Sequence, residues 1–247
     1  MAVTLLCAGE LPDGEGTRLR QRLTVLRAKH AADRTLLARS DEAGTDVLAQ
    51  TPLARDVVTA AHSVAGASAS TPLLAPALDA ALMDEVLSET LEAVAPDRFG
   101  IAHDKGIAYV LGQGALFPDI PDLPDGMTFE LLRSLDAPIA LKGERGGVAV
   151  VTAPNWSASA EAVGVVARSA SLAQLCASAI EKTVSRPDGE LSPEVVWDAL
   201  GDGARAASAL RSAGYLKSAV LTFRGRGRVI GPIEGDRLLR FGVSSWR

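Results

Sequence analysis

The alternation of apolar and polar positions predicts its longest helix over Asn155 to Val184. Val163, Val166, Ala170 and Ala173, and beside them Val165, Leu172, Leu175 and Ala179, recur at steps suited to a 3.6-residue period. Ser157 reads as its cap, Lys182 lies in its last turn, and Arg186-Pro187-Asp188-Gly189 ends it. Arg168 is the only charge between Ala162 and Ile180, so the helix reads as buried on nearly every side. Serines, Gln174 and Arg168 interrupt the run too often for a membrane span.

Read from the start, Met1 to Ala8 predicts a short buried strand and Leu11-Pro12-Asp13-Gly14 a turn. Thr17 to Arg39 predicts one amphipathic helix, with Leu19, Leu23, Leu26, His30 and Leu37 on one stripe. Its flanks carry Arg18, Arg20, Arg22, Arg27, Lys29 and Arg34, which read as a solvated face or a surface for an anion. His30, on the apolar stripe, reads as a core histidine with a satisfied hydrogen bond. Leu53 to Val64 predicts a further helix, and Ala65 to Thr71 a linker of small residues. Ala77 to Val94 is helical by its spacing of Leu78, Leu82, Val86 and Leu87.

Phe99 to Ala102 and Ile107 to Leu111 predict a hairpin around His103-Asp104-Lys105-Gly106. Phe117 to Gly126 places Pro, Asp and an apolar residue in a three-residue repeat, the period of polyproline II. A metal site on Asp119, Asp122 and Asp125 fails on geometry. That helix sets them about 9 Å apart, whereas calcium ligands converge to about 2.3–2.6 Å. The stretch reads instead as an extended strap. A short helix is expected over Thr128 to Leu135, and a second hairpin from Ala137 to Lys142 and Gly147 to Thr152. Ser192-Pro193-Glu194 opens a helix to Leu200, and Gly201 to Gly203 separates it from another over Ala204 to Ala213, capped by Gly214. Lys217 to Phe223, Arg228 to Pro232 and Arg237 to Val243 complete the chain as a three-stranded β-meander.

The fold class expected is therefore α+β: a helical N-terminal part, antiparallel hairpins with a long buried helix, and a C-terminal three-stranded β-meander. Residues 1–70 form the mostly helical part. Residues 71–247 form an α+β domain with a basic β-tail, either separate or continuous with the first part.

Composition changes this picture in three ways. Aromatics are 4% of the 247 residues, so the core is aliphatic and stacking platforms for bases are scarce. Arginine outnumbers lysine 20 to 5, a bias typical of GC-rich bacterial coding. The net charge of −5 is uneven: residues 71–210 hold nine basic and 20 acidic residues, and residues 211–247 hold eight basic and two acidic. The tail can thus attract an anionic partner or the acidic part of another subunit.

Candidate chemistry is sparse. There is no Gly-x-Ser-x-Gly elbow and no phosphate-binding loop. Cys7 and Cys176 have no metal or redox spacing, which fits reduced thiols in a cytoplasm. His103-Asp104 is the one adjacent acid–base pair, but hairpin tips are exposed. No cofactor and no metal is expected, and whether any chemistry occurs stays open.

The sharpest feature is Arg224-Gly225-Arg226-Gly227-Arg228. Arg224, Arg226 and Arg228 offer bidentate forks to phosphate or carboxylate, with glycines leaving room for close approach. The function expected is a non-catalytic, oligomeric binding or interaction protein that contacts an anionic surface or ligand through this basic hairpin. The alternative is a small-molecule enzyme or ligand-binding protein with a pocket under the strap at 117–126. Nucleic acid is the weaker reading, because the chain is acidic overall. A protein partner or self-association is expected, and no membrane.

Overall fold

A computed structural model of the chain describes residues 3–8, 13–43, 48–94, 98–103, 107–112, 147–152, 162–184, 192–224, 226–232 and 245–246. Among these residues, eight strands form one sheet whose spatial order follows the sequence. They are β1 (Val3–Ala8), β2 (Arg98–His103), β3 (Ile107–Gly112), β4 (Gly147–Thr152), β5 (Ala162–Ala167), β6 (Ser218–Phe223), β7 (Arg226–Ile230) and β8 (Ser245–Trp246). All neighbours are antiparallel except β7 and β8, which run parallel. The helices are α1 (Glu15–Lys29), α2 (Ala31–Ala43), α3 (Pro52–Ser68), α4 (Leu74–Val94), α5 (Ala170–Val184) and α6 (Pro193–Ser212). The architecture is α+β, as the sequence implied.

The connectivity repeats a plan. A strand, a group of helices and an antiparallel hairpin follow one another as β1, α1–α4, β2–β3, and again as β5, α5–α6, β6–β7. β4 joins the two sets edge to edge. α5 lies over β4 and β5, α6 over β6 and β7, and α4 against β3. α5 also contacts α3, α4 and α6, so it is the hub of the helical layer.

The predicted helix over Asn155 to Val184 is corrected in its first half. Residues 162–167 are β5 and the helix runs from Ala170 to Val184, while residues 155–161 lie outside the described residues. Residues 163 to 167 are all buried, so β5 is covered on both faces. Val163, Val165 and Ala167 join the core with the helices, as do Ala219, Leu221 and Phe223 of β6. Val166 and Val220 are buried on the far face at 3% and 1% exposure. A strand apolar on both faces has no alternation to distinguish it from a buried helix.

The predicted helix from Thr17 to Arg39 is two helices. The break falls at His30, whose N–H still bonds back to Leu26 O while its side chain turns to Thr51. The buried stripe of Leu19, Leu23, His30 and Leu37 is as expected. α3 extends through most of the expected linker and ends at Ala69, which sits at φ 56. The expected break at Gly201–Gly203 is also absent, because α6 runs unbroken from Pro193 to Ser212. A Cβ at Gly203 would lie 2.5 Å from Leu221 Cδ2 and closer still to Val184 Cγ2. That glycine serves close packing of α6 on α5 and β6 rather than a chain break. The ends of α6 are as read: Ser192 Oγ accepts from Val195 N–H, and Gly214 at φ 78 closes the C-terminus. Gly214 N–H bonds Arg211 O and Tyr215 N–H bonds Leu210 O, a Schellman closure.

The first hairpin is present, with Phe99 opposite Leu111 and Ile101 opposite Tyr109. The second is corrected: Gly147–Thr152 is paired with β3 and β5. The residues at 104–106, 117–126, 128–135, 137–142 and 237–243, with the expected strap and third tail strand, lie outside the described residues. β7 is flanked at Arg226 and Gly227 by the short parallel β8. Among the described residues, no helix is long and apolar enough to cross a membrane.

Candidate functional site

Among the described residues, the places of most chemical interest are the β6–β7 hairpin, a buried His–Thr–Asp cluster, and Asp84 of α4 against the start of α5. The hairpin differs from its sequence reading in register. Phe223 pairs with Arg226, so the loop is Arg224-Gly225 and not Gly225-Arg226-Gly227. Arg224 takes φ 47, the left-handed region that two-residue hairpin turns require. Arg226 and Arg228 are therefore strand residues, two apart and on one face.

That face looks at α6. The guanidinium carbons of Arg226 and Arg228 lie 5.7 and 5.8 Å from the centre of the Trp197 ring. Stacking of this kind holds a guanidinium by its face. Arg228 Nε is buried and has no hydrogen-bond partner among the described residues. Arg224 projects at the exposed tip. The structure thus brings Arg226 and Arg228 together on one indole and leaves Arg224 at the turn beside them.

The second cluster superficially resembles a nucleophile triad. Thr51 Oγ1 is 3.2 Å from His30 Nδ1 and 2.6 Å from Asp33 Oδ2. The proton inventory gives it a different role. A hydroxyl has one proton, and at 2.6 Å it goes to the carboxylate. Ala54 N–H donates to the same oxygen, so His30 must donate from Nδ1 as well. Thr51 then has no proton for the imidazole to remove. Asp33 further accepts from the N–H groups of Gln50 and Thr51 at 2.7 and 2.9 Å. Burial pushes the Asp33 pKa up, but the Thr51 hydroxyl, these two N–H groups and the charge of His30 outweigh it and hold the group below its usual value. The cluster is the N-cap of α3, tied to α2.

Asp84 on α4 accepts from Ala170 N–H at 2.7 Å, at the first turn of α5. Burial raises its pKa to about 6, against the opposing hydrogen bond. The folded state thus holds this proton more tightly than the unfolded chain, where an aspartate titrates near 3.9. The stability it lends is full below about pH 4 and is lost as pH rises through about 6. Asp84→Asn removes this dependence while keeping an acceptor for Ala170. We expect the variant to exceed the wild type by about 2 kcal/mol at pH 7.5. The shift corresponds to roughly 2–3 kcal/mol, because the value of about 6 already includes the opposing bond from Ala170. The gain should vanish below pH 4. A lower melting temperature for the variant at pH 7.5 would contradict the assignment.

Cys176 is a buried free thiol, and burial pushes its pKa up to about 12, so thiolate is negligible at neutral pH. Among the described residues, no group of three His, Cys, Asp or Glu is placed to hold a metal ion. His103 lies at the end of β2, next to residues outside the description.

Sequence reading missed Trp197 as part of the site. Its signal was present in retrospect: a tryptophan in an aromatic-poor chain, on the boundary between the buried and exposed faces of a well-capped helix. It also missed Asp84, because its partner is a backbone N–H far along the chain. No known family's model matches this chain, and a search among curated proteins returns no match.

Proposed function

We propose that this protein is a non-catalytic binding protein, which contacts an anionic group of a protein partner or of a second copy of itself through the β6–β7 hairpin. The observation that carries the reading is the pair of guanidiniums on Trp197, with the buried Arg228 Nε lacking a partner among the described residues. An indole fixes both planes before a ligand arrives, so less side-chain entropy is lost on binding. Arg224 supports it too. A non-glycine side chain in the left-handed region costs roughly 1 kcal/mol or more, so an arginine at that tip points to a role for its charge. We place the protein in the cytoplasm, where its buried Cys176 thiol would stay reduced.

Isothermal titration of the full chain tests this. Inorganic phosphate and a short glutamate peptide should both bind the wild type, more weakly as salt rises. Replacing Arg224, Arg226 and Arg228 together with alanine should abolish binding. Arg224→Asn, which suits the turn, should weaken binding while keeping the fold at least as stable. Undiminished binding by the triple variant would reduce the hairpin to a turn.

A further inference from the structure

Trp197, which carries the basic pair of β7, sits on a helix that also bears a row of acids. Glu194, Asp198 and Asp202 are spaced four residues apart, so they form one stripe along the helix. Glu194 and Asp198 are exposed, and Asp202 is ion-paired to Arg205. Bonds from its own N–H and from the Ser192 hydroxyl hold the Glu194 carboxyl below its usual pKa, so it is charged at neutral pH. Trp197 lies three residues after Glu194, on the margin of this stripe that turns toward β7. Trp197 thus meets arginines of the strand and shares its helix with exposed carboxylates one turn before it and one residue after it.

Such a surface treats anions unequally. A compact anion can meet Arg226 and Arg228 alone. A polyanion that extends along α6 must pass Glu194 and Asp198, and like charges at close range cost affinity. A ligand whose acid is flanked by basic groups satisfies both kinds of charge. We infer that the hairpin site recognises a mixed-charge protein segment, with an acidic side chain on Arg226 and Arg228 and basic side chains on Glu194 and Asp198. This rests on the anion-binding reading above and adds the composition of the partner. It also gives a reason for nucleic acid to be refused, because a phosphate backbone carries no compensating cations.

The test uses the intact chain and fluorescence anisotropy at low salt. The probes are a labelled peptide with one glutamate between two lysines, the same peptide with all three positions glutamate, and a single-stranded oligonucleotide. The mixed-charge peptide should bind about three- to fivefold more tightly than the all-acid one, the contribution of two exposed charge pairs. Glu194→Gln combined with Asp198→Asn, both exposed positions, should erase or reverse that preference. Arg228→Ala should weaken both peptides roughly tenfold, as for loss of a charged hydrogen bond. If the all-acid peptide or the oligonucleotide binds as well as the mixed peptide, and the helix variant changes nothing, the mixed-charge inference is wrong while anion binding stands. If no probe binds, both fail.

Discussion

Asp79→Ala should lower the unfolding free energy by about 3 kcal/mol, the low end of the cost of breaking a buried ion pair, because Arg27 and Arg34 are only partly buried. Asp79 sits on α4 with its side chain 4% exposed. It receives Arg34 of α2 through both oxygens, Nε to Oδ1 at 2.6 Å and Nη2 to Oδ2 at 2.8 Å. Arg27 of α1 brings its Nε within 3.6 Å of Oδ1, and its own side chain is 13% exposed. One carboxylate thus tethers three helices. Urea unfolding would register the loss as a lower midpoint at unchanged slope. Replacing Arg27 and Arg34 with methionine and Asp79 with leucine together should recover most of it, because the ion cluster itself contributes little against an apolar replacement. A wild-type midpoint for Asp79→Ala would mean that water or neighbouring groups already satisfy the arginines.

Gly203→Ala should destabilise by about 3 kcal/mol, at the top of the usual range for overpacking a core. The added methyl has nowhere to go, since Leu221 comes from β6 and Val184 from the end of α5. Either α6 lifts from the sheet or two core side chains leave their rotamers. Gly201→Ala is the control in the same turn. A Cβ there meets only Arg205 Nη1, at 3.6 Å, the far end of a flexible side chain. It should stabilise by up to about 1 kcal/mol through helix propensity. The opposite signs of two identical substitutions, two residues apart, separate packing from propensity. Because α6 also carries Trp197, Gly203→Ala should weaken anion binding as well as folding.

What the sequence revealed and what it hid follow from the range of the interactions. Local signals were legible: the Ser192 cap, the Gly214 closure, the β2–β3 hairpin and the buried stripe of α1 and α2 all rest on residues within a turn or two of each other. The long-range features were hidden. β5 looked helical because both its faces are covered, which only the sheet and its surroundings decide. Gly201 and Gly203 looked like a break because helix propensity was the only evidence, whereas contact with Leu221 makes the second a packing position. At the candidate site, Arg224, Arg226 and Arg228 were readable as a basic cluster, but the two-residue shift of the second strand's start, from Arg228 to Arg226, was not. That shift moves Arg226 from the loop to the strand face, where Trp197, some 30 positions earlier, lies across both arginines.

Native mass spectrometry of the wild type beside the variant with Arg224, Arg226 and Arg228 all changed to alanine tests the central claim most directly. The wild type should carry a second subunit or a retained anionic species, and the variant should appear as a bare, folded monomer. The same bound species on both proteins would contradict a binding role for the hairpin, and a bare wild-type monomer would rule out the second copy as its partner.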